Sequence, residues 1–328
     1  MTALLPSTQV QTSPRLLVAS PTAAPYVTSL DDLPTLLSPG DLLVLNDAAT
    51  FPGSLRFLWA GQSLEARLFE KVPGGFRAVL FGPGDHTTRT EHRAPPPVFP
   101  VGTTLRLAGL DARITRVCED SARLVELAFD ADDSALWAAV YAHGRPIQYA
   151  HAPSPFPLWA VQNVYATRPW AAELPSAGHH LTFARLDALK RRGIEVRTLT
   201  HATGLSSTGD AVLDAQLPWA ERYAIPRETA EAVSFAPRVV AVGTSAMRAL
   251  EAWAETGALS GIARNVLGPH SPLRVTDALL TGIHQPGESH HRLLRSLLDE
   301  AALQAATDLS HQARLAGHEF GDLALVGA

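Results

Sequence analysis

The sequence predicts an α/β (α+β mixed) main domain carrying an inserted, small, all-β barrel-like domain, and three stretches support that expectation. An apolar strand over residues 41–45 follows the turn Ser38-Pro39-Gly40 and runs into Asn46 and Asp47. From Ser54 to Ala131 short alternating runs recur between turns rich in Gly, Pro and Asp, with no long helical pattern. Beyond residue 132 helix-period and strand-period segments alternate again. The expected division is therefore 1–53 with 132–328 as one discontinuous α/β domain, and 54–131 as the β insert.

Taken in order, the insert is expected to hold strands at 64–69, 76–81, Thr104–Leu107, 112–117 and Leu124–Phe129. Arg93-Ala94-Pro95-Pro96-Pro97 reads as a loop, since proline donates nothing to a strand ladder. A helix is expected over 132–143, then a connector marked by Pro153, Pro155 and Pro157. A second helix over 181–192 stops at Gly193, and a strand follows at 195–200. A helix over 227–236 precedes a strand at 238–242 and a helix at 245–256. Met247, Leu250 and Ala254 give that last helix an apolar stripe at helical spacing. A long helix over 289–316, broken once, and a closing strand Leu323–Val326 complete the chain.

Composition narrows the function. With 328 residues, 46% of them hydrophobic, the chain can bury a substantial core in one large or two medium domains. A net charge of −5 supplies no global basic field, so a nucleic-acid partner requires a local patch. Lys71 and Lys190 are the only lysines, the other basic residues being arginine. The single cysteine, Cys118, excludes an intramolecular disulfide framework and reads as a core residue. The first residues lack the pattern of a secretory signal, and no apolar run reaches the ~18 residues of a membrane span. The expected location is cytoplasmic.

The most informative junction is Val239-Val240-Ala241-Val242-Gly243-Thr244-Ser245, a buried strand passing through glycine into hydroxyl residues that open a helix. Free N–H groups and the positive dipole end suit a carboxylate there. A plain Ser or Thr cap is the other reading. The same residues resemble a G-x-S-x-G nucleophile elbow, with Ser245, Asp277 and His284 in hydrolase order. Met247 in place of the closing glycine, and the short Asp277-to-His284 interval, oppose it. The histidines His179, His180, His201, His284, His290, His291 and His318 lack zincin spacing, and no metal site is assigned. His284 stands in a polar loop, a suitable place for a catalytic or ligand-binding group. Arg185, Lys190, Arg191, Arg192 and Arg197 form the basic patch, read either as a phosphate contact or as a solvated face.

Six ordered stretches together resemble the S-adenosylmethionine:tRNA ribosyltransferase-isomerase family of queuosine biosynthesis. Residues 39–47 resemble its PGDLLVxND signature, Val161-Gln162-Asn163-Val164-Tyr165-Ala166 its YQTVYA, and residues 175–182 its PTAGLHFT. Residues 242–251 resemble VGTTSVRxLE, Thr281-Gly282-Ile283-His284-Gln285-Pro286 resembles TNFHLP, and Gly321-Asp322 matches the end of YGD. The resemblance implies transfer of the ribosyl part of S-adenosylmethionine to the aminomethyl group of a deazaguanine at the tRNA wobble position. Adenine and methionine leave and the sugar becomes an epoxycyclopentane, giving epoxyqueuosine. Such chemistry needs a base for the C–H beside the sulfonium and a proton donor for adenine. Carried onto matching positions, it implies His180 and His284 as acid/base groups, with Asp47 and Asn46 orienting the ribose or the amine. Thr244, Ser245 and Arg248 would hold the methionyl carboxylate. Thr182, Glu221 and Asp322 complete the implied donor-binding set.

The sequence departs from the family at definite points. Asn46-Asp47 is followed by Ala48-Ala49, where the family has Thr and then Arg. LHVGxGTF has become Thr200-His201-Ala202-Thr203-Gly204-Leu205-Ser206-Ser207, and MHxE reads Pro218-Trp219-Ala220-Glu221. Gly282 and Gly287 replace an asparagine and a basic residue, and the closing motif reads His318-Glu319-Phe320-Gly321-Asp322. Lost cations weaken the expected grip on a polyanion, so the implied acceptor is tRNA or, alternatively, a small amine. A non-catalytic binder of S-adenosylmethionine and a hydrolase using Ser245 are further alternatives.

Overall fold

The computed structural model describes residues 13–152, 154–317 and 320–327. Pro153 of the connector and His318 and Glu319 of the closing motif lie outside them. A nine-stranded sheet organises the chain. Its centre is four parallel strands, in the spatial order Glu195–His201, Leu42–Asn46, Val239–Val242 and Ala278–Gly282. On one side Glu221–Ala224 and Ser260–Ala263 continue the sheet antiparallel. On the other, Leu323–Val326 pairs antiparallel with Ala278–Gly282, followed by Arg15–Ala19 and Tyr26–Ser29.

Strand Leu42–Asn46 is an unbroken apolar run because both of its faces are covered. Leu42 and Val44 face the layer of helices Arg227–Phe235, Thr244–Thr256 and Glu300–Gln312. Leu43 and Leu45 pack with Leu186 and Leu189 of helix Phe183–Arg191 and with Leu33 and Leu37. Thr182 caps that helix by accepting the Arg185 N–H.

The six strands Ser54–Trp59, Gln62–Val72, Gly75–Phe81, Leu124–Phe129, Leu110–Val117 and Thr104–Leu107 form a separate antiparallel sheet, in that order. Its two end strands lie against each other, so the sheet is barrel-like and nearly closed. Its core also takes Leu136 and Val140 from helix Asp133–His143, and Leu205 and Leu213 from later segments. Cys118 is half-buried at the edge of that core. The expected β-rich stretch is thus real, with Ser54–Trp59 as a strand the sequence reading passed over. The same is true of Arg15–Ala19, Tyr26–Ser29, Glu221–Ala224, Ser260–Ala263 and Ala278–Gly282. The terminal helical stretch is broken once, into Ser289–Leu294 and Glu300–Gln312. No helix among the described residues is long and apolar enough to cross a membrane.

On the outer face of the barrel, under the segments that carry Arg93 and Gln148, sits a buried charge cluster. Glu65 receives Arg67 Nε at 3.0 Å, Arg93 Nη1 at 2.7 Å and the Ser54 hydroxyl at 2.8 Å. Burial pushes the Glu65 carboxyl up, but Arg67 and Arg93 outweigh it and hold it at about 2. The depressed value means that Glu65 stabilises the fold above its unfolded value of 4.5, an effect lost as pH falls from there toward 2. Replacing Glu65→Gln leaves two guanidiniums buried without their counterion. Urea unfolding at pH 7 should show a loss of about 3–5 kcal/mol, and the gap to the wild type should close between pH 4.5 and 2.

Candidate functional site

The topology brings six chain segments to one edge of the large sheet. The four parallel strands end there at His201, Asn46, Val242 and Gly282. Two antiparallel strands begin there: Tyr223 pairs with His201, so Glu221 stands just beyond, and Leu323 pairs with Gly282, so Asp322 stands beside it. Ligands in open α/β sheets bind outside the carboxyl ends of the strands, where such side chains converge.

Asn46 ties the segments together. Its side-chain carbonyl accepts the N–H of His201 at 2.9 Å and of Ala48 at 3.1 Å. Its amide donates to the His201 carbonyl and to the Ser245 hydroxyl, each at 3.0 Å. Gly243 precedes helix Thr244–Thr256 at φ +86°, a left-handed conformation that glycine adopts without strain. The first-turn N–H groups of this 13-residue helix therefore face a cavity of about 590 Å³, counting its open mouth. Thr203, Gly204, Glu221, Thr244, Ser245, Arg248 and His290 are among its walls.

Arg248 is buried one turn into the helix and is largely occupied. It pairs with Glu221 and donates to the carbonyls of Trp219 at 3.0 Å and Asn265 at 3.2 Å. Glu221 also accepts the Gly204 N–H at 2.6 Å. Burial raises the Glu221 carboxyl above its ordinary value, more than Arg248 and that N–H lower it. His201, fully buried with Nε2 3.7 Å from Glu221, is held neutral by burial and by Arg248. His290 on the cavity wall is pushed down to about 3 by burial and by His284, whose ring lies 4.9 Å away. His284 meets the Thr281 hydroxyl at 2.9 Å, with Glu288 3.6 Å from its Nδ1. Sequence reasoning left His290 among the unassigned histidines, because nothing in its local pattern marks the cavity wall.

The remaining sequence candidates sit apart from this cavity. Asp47 is buried and accepts the Thr200 hydroxyl at 2.6 Å. His180 bonds the Gly321 carbonyl at 2.9 Å, and burial lowers its pKa. Asp322 pairs with Arg15 at 2.7 Å and accepts the N–H groups of Arg15 and Ala316, which fastens the first and last strands together. Glu251, from the helix motif, accepts the N–H groups of Arg274, Val275 and Thr276 and shapes the approach to strand Ala278–Gly282. The basic patch is mostly consumed within the chain. Arg185 pairs with Asp31, Arg191 with Asp187 and Arg197 with Glu195, while Arg192 donates to the Pro34 carbonyl.

The motifs nonetheless dock on one another. Asn163 donates to the Pro175 carbonyl at 3.0 Å, and the Tyr165 hydroxyl lies against Gly178. Ala177 abuts Gly243.

The hydrolase alternative fails on geometry. Ser245 shares its hydroxyl with Asn46, and His284 is turned to Thr281 and Glu288. Asp277 receives the Val239 N–H at the opposite end of the sheet. A nucleophile, base and orienting acid must form one hydrogen-bonded chain, and these three do not.

Comparison with known proteins agrees with this architecture. The family described as "Queuosine biosynthesis protein" matches residues 1–326. The chain is 31% identical over 304 residues to an S-adenosylmethionine:tRNA ribosyltransferase-isomerase of Rubrobacter xylanophilus, covering 90% of this chain and 84% of that protein. It is 33% identical over 316 residues to the protein so named in Thermus thermophilus, covering 90% and 86%. A crystal structure of S-adenosylmethionine tRNA ribosyltransferase from Thermotoga maritima superposes with a TM-score of 0.50. That match has 22% identity and covers 98% of this chain and 95% of that one, a likeness of fold. From the geometry of Ser245, treatment with a fluorophosphonate probe should leave it unlabelled by intact-mass analysis. A stoichiometric adduct on Ser245 would restore the hydrolase reading.

Proposed function

We propose that this chain, which belongs to the queuosine biosynthesis protein family, is an S-adenosylmethionine:tRNA ribosyltransferase-isomerase whose donor sits in the cavity beside Asn46 and Ser245. One observation carries the placement. Asn46 and Ser245, from two separate family motifs, are hydrogen-bonded to each other at the start of the helix that opens on that cavity.

The free N–H groups of the first helical turn, with the Thr244 and Ser245 hydroxyls, suit the methionyl carboxylate of S-adenosylmethionine. Arg248 adds positive potential while acting chiefly as the counterion of Glu221. Glu221 presents a carboxylate to the cavity, where a cationic sulfonium or an acceptor ammonium would lie. For the C–H beside the sulfonium, His284 offers an imidazole base, with the His290 ring 4.9 Å from it on the cavity wall. Asp47 and His180 then act from the periphery of the edge, through Thr200 and the Gly321 carbonyl. Thr182, as a helix cap, and Asp322, as partner of Arg15, would act by holding the frame.

The acceptor in this reading is the aminomethyl-deazaguanine of a tRNA anticodon, and the place of work is the cytoplasm. The domain division at 54–131 is part of the same proposal. It is supported by the separate sheet of strands Ser54–Trp59 through Leu124–Phe129, whose core is completed by side chains from outside those bounds.

Incubation with S-adenosylmethionine and hypomodified tRNA, followed by mass spectrometry of free adenine and digested nucleosides, tests the reaction. Adenine should appear in step with epoxyqueuosine. Donor binding without either product would overturn the proposal. Ser245→Ala should raise KM for S-adenosylmethionine about tenfold or more, the scale of a hydrogen bond to a charged group, and Asn46→Ala, which removes the anchor of that hydroxyl, should raise it in the same direction. Asp322→Asn should lower Tm while leaving that KM within about threefold.

A further inference from the structure

A second cavity lies across Glu221 from the first. It encloses about 430 Å³ including its mouth, and Phe51, Phe69, Trp170, Trp219 and Arg222 are among its walls. Gly204 and Glu221 line both cavities, so the two meet at one carboxylate.

The second cavity is built from rings held in place by cations. Phe69 and Trp219 lie with centroids 4.7 Å apart, tilted by 37°. Arg77 reaches over both rings, at 5.3 and 5.9 Å, and is itself fixed by Glu70 at 2.8 Å. Arg222 lies 3.9 Å over Trp170. Trp170 and Trp219 are both half-buried and both line the cavity. Flat aromatic walls with guanidiniums beside them suit an unstacked nucleobase, which binds by its π-face whatever its edge pattern. The carboxylate at the inner end suits a cationic substituent on that base.

Resting on the ribosyl-transfer reading, we propose that this cavity seats the acceptor base. A purine-like nucleobase bearing an aminomethyl group lies against Trp219 and Trp170, and its ammonium reaches past Gly204 to Glu221, facing the donor cavity. Gly204 permits the crossing. A Cβ there would stand 2.9 Å from Glu221 Oε1, displacing the carboxylate from the N–H that holds it. The proposal also gives a physical use to one departure of the sequence. Trp219 occupies the position of the family's histidine and offers a larger stacking face. It supplies affinity where backbone-binding cations have been lost.

The test uses the full chain with S-adenosylmethionine and hypomodified tRNA, comparing Trp219→Phe with Trp219→Leu. Leu keeps the apolar bulk that packs on Phe69 and removes the π-face. Trp219→Leu should raise KM for tRNA about tenfold, or about 1.4 kcal/mol, with S-adenosylmethionine affinity within about twofold of the wild type. Trp219→Phe should stay within about threefold in KM. A direct titration adds a second arm, using free 7-aminomethyl-7-deazaguanine and the same base without its aminomethyl group. The aminated base should quench tryptophan fluorescence at about tenfold lower concentration, and Glu221→Gln should erase that preference. An unchanged KM for tRNA in Trp219→Leu, or equal binding of the two bases, overturns the pocket and leaves the ribosyl-transfer reading intact. No epoxyqueuosine from the wild type removes both.

Discussion

The side-chain amide of Asn46 is the fastening on which the site depends. It occupies the last position of a buried strand, where an unpaired polar group would be costly. It resolves that cost by bonding both to the end of the neighbouring strand, at His201, and to the start of the facing helix, at Ser245. Strand ends and helix start are thereby fixed relative to each other, and the free amides of the helix open on a cavity of defined shape. Strand direction brings further candidate side chains to this edge. Parallel strands deliver their carboxyl ends to it, and the antiparallel strands at Glu221 and Leu323 deliver their beginnings.

Electrostatics then divides the edge into two chambers. Glu221 and Arg248 form a nearly buried ion pair, and Coulombic interactions there are stronger than at the surface. The pair rests on carbonyls of Trp219, Ala263 and Asn265 and on the Gly204 N–H, so its position is set by backbone. A carboxylate fixed in this way can serve a cation arriving from either side. His201 and His290 are both kept neutral, and Glu221, which shares the cavity wall with Glu173, is a fitting partner for a sulfonium or an ammonium.

Much of this was legible in the sequence, for identifiable reasons. Strands such as Thr104–Leu107, Leu124–Phe129 and Leu323–Val326 were readable because alternation or apolar runs were bounded by turns. The junction at Gly243 was readable because glycine and hydroxyl residues mark a strand-to-helix turn wherever they occur. Glu221–Ala224 and Ser260–Ala263 were not, because these short strands at one margin of the sheet carry polar residues and owe their conformation to pairing with each other and with Glu195–His201. Among site residues, Asn46 and Ser245 could be named but not their contact, which spans 199 positions of sequence. Arg248 looked like a free carboxylate ligand because its partner Glu221 lies 27 positions away, on a strand rather than on the same helix. The aromatic chamber escaped for the same reason: Phe69, Trp170 and Trp219 come from three unrelated segments that only the fold assembles.

The central claim is that S-adenosylmethionine lies at the Asn46–Ser245 junction. Amide hydrogen exchange with and without the donor addresses it most directly, because protection reports which backbone the ligand covers. Binding should slow exchange in peptides covering 243–248 and 202–206, with 320–322 and the barrel unchanged. Protection confined to 176–182 and 320–322, with none at 243–248, would move the donor to the His180 side and contradict the account.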